Sequence, residues 1–196
     1  MLTKRSLIAL SLAGLVAGCG PKTSSSSASS SGGGDIGGPF RLVDQNGRAV
    51  DESLLKGKWS AVYFGFTFCP DVCPTTLQAL AEAQQKLGPK AKDFQVVLIT
   101  VDPERDTPQA LKTYLDNPAF PKGAIGLTGT PEQIAAAAKA YRVYYKKVGS
   151  GDAYSVDHVA YTMLMDPKGR FVRPIGNGTP PDDIAGIVSE AMSGRS

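Results

Sequence analysis

A chain of 196 residues, with 42% hydrophobic and 20% charged side chains, has the composition of a soluble globular protein with one compact domain and some additional segments, which argues against wholesale disorder. The formal net charge is +3, and without Lys4 and Arg5 the 21 basic residues fall to 19 against 18 acidic ones. That balance argues against a nucleic-acid partner.

Lys4 and Arg5 precede an apolar run from Leu7 to Val16, too short to span a bilayer comfortably and suited to the core of a signal peptide. The run ends in Val16-Ala17-Gly18-Cys19, which resembles a bacterial lipobox, where small residues precede a cysteine that is diacylated and becomes the mature N-terminus. Residues 1–18 are therefore expected to be a lipoprotein-type signal peptide and Cys19 the lipidation site. The protein is expected in the bacterial cell envelope, extracytoplasmic and anchored to a membrane by its lipid. This use of Cys19 accounts for the odd one among three cysteines. Residues 19–38 are dominated by Ser24-Ser25-Ser26-Ser27, Gly32-Gly33-Gly34 and their like, and read as a flexible tether with a root-mean-square span of roughly 25 Å. The folded domain is expected to occupy residues 39–196.

Phe40 to Asp44 and Arg48 to Val50 read as a short hairpin turning at Asn46-Gly47. Ser60 to Phe68 is a continuous aromatic and β-branched run, the pattern of a buried central strand. Leu77, Leu80, Ala81, Ala83 and Leu87 recur at helical spacing and predict a helix from about Pro74 to Leu87, stopped by Gly88-Pro89. Phe94 to Val101 is a second buried strand. Thr107-Pro108 and Thr130-Pro131 each open a helix with threonine as N-cap and proline at the first helical position, and Gln133 is placed to close a capping box. Arg142 to Val148 alternates as a strand. Ala160 to Met165 and Arg170 to Pro174 form a hairpin about Asp166-Pro167-Lys168-Gly169, and a last helix follows Pro180-Pro181. Two strand-helix-strand crossovers, then an antiparallel pair and a terminal helix, predict an α/β protein of thioredoxin-like fold: a central mixed sheet flanked by helices, with an N-terminal hairpin extension.

The chemistry concentrates in Phe66-Thr67-Phe68-Cys69-Pro70-Asp71-Val72-Cys73-Pro74, where a central strand hands over to a helix. A helix N-terminus offers unpaired N–H groups and a positive field, which favours thiolates. Side chains four residues apart on a helical turn lie about 5–6 Å apart at Cβ, close enough for a disulfide after slight adjustment or for joint metal ligation. A disulfide closing so short a loop stabilises a fold least of all, which leaves redox chemistry or metal binding. Three residues separate these cysteines where thioredoxin-type redox motifs have two, and this tilts the reading toward metal. The single histidine, His158, in Tyr154-Ser155-Val156-Asp157-His158-Val159, precedes a predicted strand and can approach the cysteines as a third ligand. Two soft thiolates and an imidazole suit copper, as Cu(I) or Cu(II), better than zinc, which usually takes a fourth ligand. Asp71 and Asp157 are candidates to orient the ligands, although solvated carboxylates are the commoner case. Met163 and Met165 read as packing rather than as a methionine copper box.

The stretches FGFTFCPDVCP, VDPERDTPQAL (Val101 to Leu111) and YSVDHVAYTMLMDPKG (Tyr154 to Gly169), in this order, resemble the SCO/SenC family over about Pro39 to Glu190. The resemblance implies a thioredoxin-like domain that binds Cu(I) and Cu(II) through Cys69, Cys73 and His158 and serves assembly of the dinuclear copper centre of cytochrome c oxidase. It implies as partners the copper-bearing oxidase subunit and another extracytoplasmic copper chaperone or thiol reductant. Val159 departs from the small residue common after the histidine and removes no ligand. The alternative function is a thiol-disulfide reductase in which Cys69 and Cys73 form a redox-active disulfide and keep the oxidase copper-site cysteines reduced. A peroxidase shares the fold, but no active-site threonine pattern of that kind is present. Asp102 to Asp106 belongs to the family pattern and reads as shaping a turn, with Arg105 free to pair locally or to face a partner.

Overall fold

The computed structural model describes residues 36–194, so the expected signal peptide, Cys19 and the tether through residue 35 lie outside the described residues. The chain enters through an antiparallel hairpin, β1 (Arg41–Asp44) and β2 (Ala49–Asp51). The buried Asp44 carboxylate closes its turn by accepting the N–H groups of Asn46 at 2.8 Å and Arg48 at 2.9 Å, while Gly47 takes the left-handed conformation at φ 79°.

The two apolar runs become the central strands β3 (Trp59–Gly65) and β4 (Phe94–Thr100), parallel from Trp59 opposite Phe94 to Gly65 opposite Thr100. Both are almost wholly buried because elements pack on both of their faces. The crossover between them is α1 (Val72–Lys86). A second crossover, α2 (Pro108–Leu115), leads to β5 (Ile125–Thr128), a strand that the sequence pattern did not announce, parallel to β4 and antiparallel to β1. Next comes α3 (Pro131–Ala140), with the expected reciprocal Thr130–Gln133 capping box. Then β6 (Tyr145–Val148) and β7 (Ser155–His158) pair, among the described residues, only with each other. The antiparallel pair β8 (Tyr161–Met165) and β9 (Phe171–Gly176) extends the main sheet, and α4 (Pro181–Met192) packs beside α1. The seven-stranded order is β2-β1-β5-β4-β3-β8-β9, the thioredoxin-like mixed sheet with its added hairpin.

Boundaries move where the site is built. The run predicted to continue to Phe68 leaves the sheet at Gly65, and residues 66–71 form the loop that carries Cys69. The strand expected from Arg142 begins at Tyr145, because α3 closes with Val143 N–H donating to Ala138 O at 2.8 Å and Arg142 N–H donating to Lys139 O at 3.2 Å. This places Arg142 in the left-handed region at φ 56°, a role usually taken by glycine. Tyr63 and Phe64 point to opposite faces of β3, Phe64 packing on Tyr141 with 5.6 Å between ring centroids and Tyr63 lying over α1 beside Cys73. Met163 and Met165 are fully buried, as the packing reading expected.

Candidate metal centre

The site lies where β3 and β4 end side by side, the position at which parallel strands deliver loops to a common crevice. Cys69 sits in the loop after β3 and is half-buried; Cys73, in the first turn of α1, is wholly buried; both thiols are free. The helix N-terminus is used asymmetrically. Asp71 stands at the N-cap but its side chain caps nothing, and the Cys73 N–H donates instead to Cys69 Sγ at 3.4 Å. The opening turn of the helix therefore supports the outer sulfur. For the inner one burial wins over the helix field, pushing the Cys73 thiol up to about 12, although the Tyr63 hydroxyl donates to its sulfur at 3.5 Å. Burial also holds the Tyr63 phenol protonated, so it remains a donor.

His158 is the last residue of β7 and reaches across from a segment 85 residues beyond Cys73, its Nε2 3.8 Å from Cys73 Sγ. Its Nδ1 lies 3.2 Å from the Val159 carbonyl oxygen, which can only accept. That bond assigns the proton to Nδ1 and leaves the Nε2 lone pair facing the sulfurs. Burial keeps the imidazole below its ordinary value and hence neutral at pH 7, the form that ligates. Phe66 and Tyr63 present their rings edge to face with the imidazole at centroid separations of 5.8 and 6.1 Å. One ligand atom from each of Cys69, Cys73 and His158 lies within 4.8 Å of the others, the one such three-residue group of His, Cys, Asp or Glu among the described residues. Two sulfurs and a neutral nitrogen are a soft donor set that fits copper.

Asp71 and Asp157 are both exposed and make no hydrogen bond to the three donors; the orienting acceptor is the backbone carbonyl of Val159, for which a side-chain motif offers no signal. Gly65 also escaped the sequence reading: a Cβ there would fall 2.9 Å from Cys73 Sγ and 2.6 Å from Tyr63 Cε1, so only glycine lets these groups close over the end of β3. Asp106, fully buried, accepts Thr67 N–H at 3.0 Å, Thr67 Oγ1–H at 2.6 Å and Thr100 Oγ1–H at 2.6 Å, and so fixes the start of the cysteine loop against the end of β4.

The chain matches the SCO1/SenC family over residues 28–193. It is 44% identical over 163 residues to the protein SCO1 homolog 1, mitochondrial, of Arabidopsis thaliana, covering 82% of this chain and 48% of that protein; it thus spans about half that relative's length. Its structure is similar to that of Bradyrhizobium japonicum ScoI with copper bound, with a TM-score of 0.72 and 46% identity over 79% of this chain and 98% of that one. BsSco, a member of the Sco family of cytochrome c oxidase assembly proteins in which a disulfide switch is identified, matches with a TM-score of 0.64 and 26% identity over 83% and 94% of the respective chains. With the family match running through the cysteine loop, residues 101–111 and the His158 strand, the chain belongs to the SCO1/SenC family.

Proposed function

We propose that this protein is an extracytoplasmic, lipid-anchored copper chaperone that holds Cu(I) or Cu(II) on Cys69, Cys73 and His158 and serves assembly of the copper centre of cytochrome c oxidase. The observation that carries the proposal is the convergence of two sulfurs and a pre-oriented imidazole nitrogen within 4.8 Å. Copper is the cargo, and its binding requires the thiols to lose their protons while His158 enters already neutral. Phe66 and the ring of Tyr63 keep the inner side of the site apolar, and Cys69 stands on the solvent side, where a partner's ligands can reach it. The copper-bound relative and the oxidase-assembly relative support the same reading. The partners on this reading are the copper-bearing oxidase subunit and an extracytoplasmic copper donor or thiol reductant.

A second reading has its own observation. The pair is asymmetric, a half-buried Cys69 receiving a helix N–H and a buried Cys73 behind it, the arrangement of an attacking and a resolving thiol in disulfide exchange. His158→Ala separates the two. It leaves the dithiol in place, so reactivity toward a disulfide substrate stays within about tenfold, while Cu(II) affinity falls by more than the ~10–100-fold of an outer-sphere change. Oxidase maturation at limiting copper is the arbiter: a variant that has lost Cu(II) binding yet matures the oxidase normally refutes the chaperone reading and leaves the reductase.

A further inference from the structure

His158 rides on β7, and β6 and β7 have no hydrogen-bonded ladder to the main sheet. The two-stranded piece that delivers the imidazole therefore needs another connection to the strand ends that deliver the cysteines. Beside the direct packing of His158 on Phe66 and Tyr63, the segment Asp102–Asp106 after β4 supplies a polar connection. Arg105 stacks its guanidinium 3.8 Å from the Tyr154 ring centroid and 4.6 Å from that of Phe68, the residue before Cys69. Its Nη1 donates to the Tyr154 carbonyl at 3.1 Å, and its Nε donates to Asp102. The Asp102 carboxylate accepts the Tyr154 hydroxyl at 2.6 Å in turn. Asp106 holds Thr67 on the cysteine side. One short loop thus grips both ligand-bearing segments, and within that loop Arg105 is the residue that contacts the two of them, with 17% of its side chain exposed.

We infer that Arg105 is a positioning residue that locks the His158 strand to the cysteine loop and thereby sets the preference of the site for Cu(II) over Cu(I). The inference rests on the copper reading for its second half only. Cu(I) is satisfied by two thiolates, whereas Cu(II) depends on the imidazole, so loosening the hairpin penalises the oxidised ion selectively. A guanidinium is suited to this task because it is planar and weakly hydrated: it stacks between two rings while its edge makes hydrogen bonds, which an ammonium group does not reproduce.

The test uses the full chain in detergent, as wild type, Arg105→Met and Arg105→Lys; the lysine variant keeps a cation beside buried Asp102 and carries the test if the methionine variant does not fold. Without metal, amide exchange is expected to quicken about tenfold or more at residues 155–159 and to stay unchanged at 59–65 and 94–100. With copper, Cu(II) affinity is expected to fall about 10–100-fold, with loss of nitrogen coupling in the electron paramagnetic resonance spectrum, while Cu(I) affinity changes by less than about threefold. Unchanged exchange at 155–159, or exchange raised equally throughout the sheet, overturns the inference. Equal losses of Cu(I) and Cu(II) affinity overturn the selectivity. If wild-type protein itself takes up no copper, the chaperone reading fails, and the exchange data still decide whether Arg105 is the lock.

Discussion

Replacing Gly65 by Ala tests how tightly the end of β3 dictates the place of the inner sulfur. The added methyl carbon would lie 2.6 Å from Tyr63 Cε1, 2.9 Å from Cys73 Sγ and 3.3 Å from Leu98 Cδ1. Optimal carbon contacts are about 3.5–4.0 Å, so the shortfall is roughly 1 Å against the tyrosine ring and nearly as much against the sulfur. Gly65 does not have a positive φ, so the perturbation is purely one of packing. Tyr63, Leu98 and Cys73 are all fully buried, and turning the small Cys73 side chain about its single χ1 bond displaces the fewest atoms and is the easiest relief. That rotation carries the sulfur away from the Tyr63 hydroxyl and from His158 Nε2. Overpacking of this kind costs about 1–3 kcal/mol. For a domain of this size that lowers Tm by roughly 2–12 °C. Because a binding constellation tolerates displacements of only about 0.5 Å, Cu(I) affinity is expected to fall about tenfold or more. Thermal melts by circular dichroism and Cu(I) competition titrations read the two effects. Gly176→Ala is the control, since its Cβ would meet only Thr179 Oγ1, at 3.7 Å. A Gly65→Ala protein that melts and binds copper like wild type refutes the claim that packing at Gly65 places Cys73.

Copper uptake should also depend on pH with a definite sign. Burial pushes the Cys73 thiol up to about 12, so at neutral pH copper must displace its proton, whereas His158, held low, is already neutral. Apparent Cu(I) affinity is therefore expected to rise at least about tenfold per pH unit between about pH 7 and 9 and to weaken as pH falls; a flat profile in competition titrations contradicts the protonated inner thiol. Cys19→Ser should release the protein from the membrane fraction with its fold and copper binding intact, read by fractionation and metal analysis. A variant that stays membrane-bound rules out the lipid anchor at Cys19.

Much of the framework is written locally. The threonine caps before Pro108 and Pro131, the Asn46-Gly47 turn and the apolar runs of β3 and β4 are signals that act over a few residues, and each appears in the structure close to where the pattern puts it. The cysteine pair at a strand-to-helix junction was legible for the same reason, as was His158, the single histidine in the chain. The strand Ile125–Thr128 was missed: its four residues carry no periodicity of their own, and it exists because β4 and β1 stand on either side of it. Tertiary structure also decided the character of the site. The helix N-terminus suggested an activated pair of thiols, but the fold buries Cys73 under Tyr63 and gives the Cys73 N–H to Cys69, so desolvation outweighs the helix field at the inner sulfur. Nor did the motif reveal that a backbone carbonyl at Val159 aims the imidazole, or that Arg105 spans the two halves of the site. The donors Cys73 and His158 stand 85 residues apart, and contacts over such a separation depend on packing and strand order, which no local run of residues encodes.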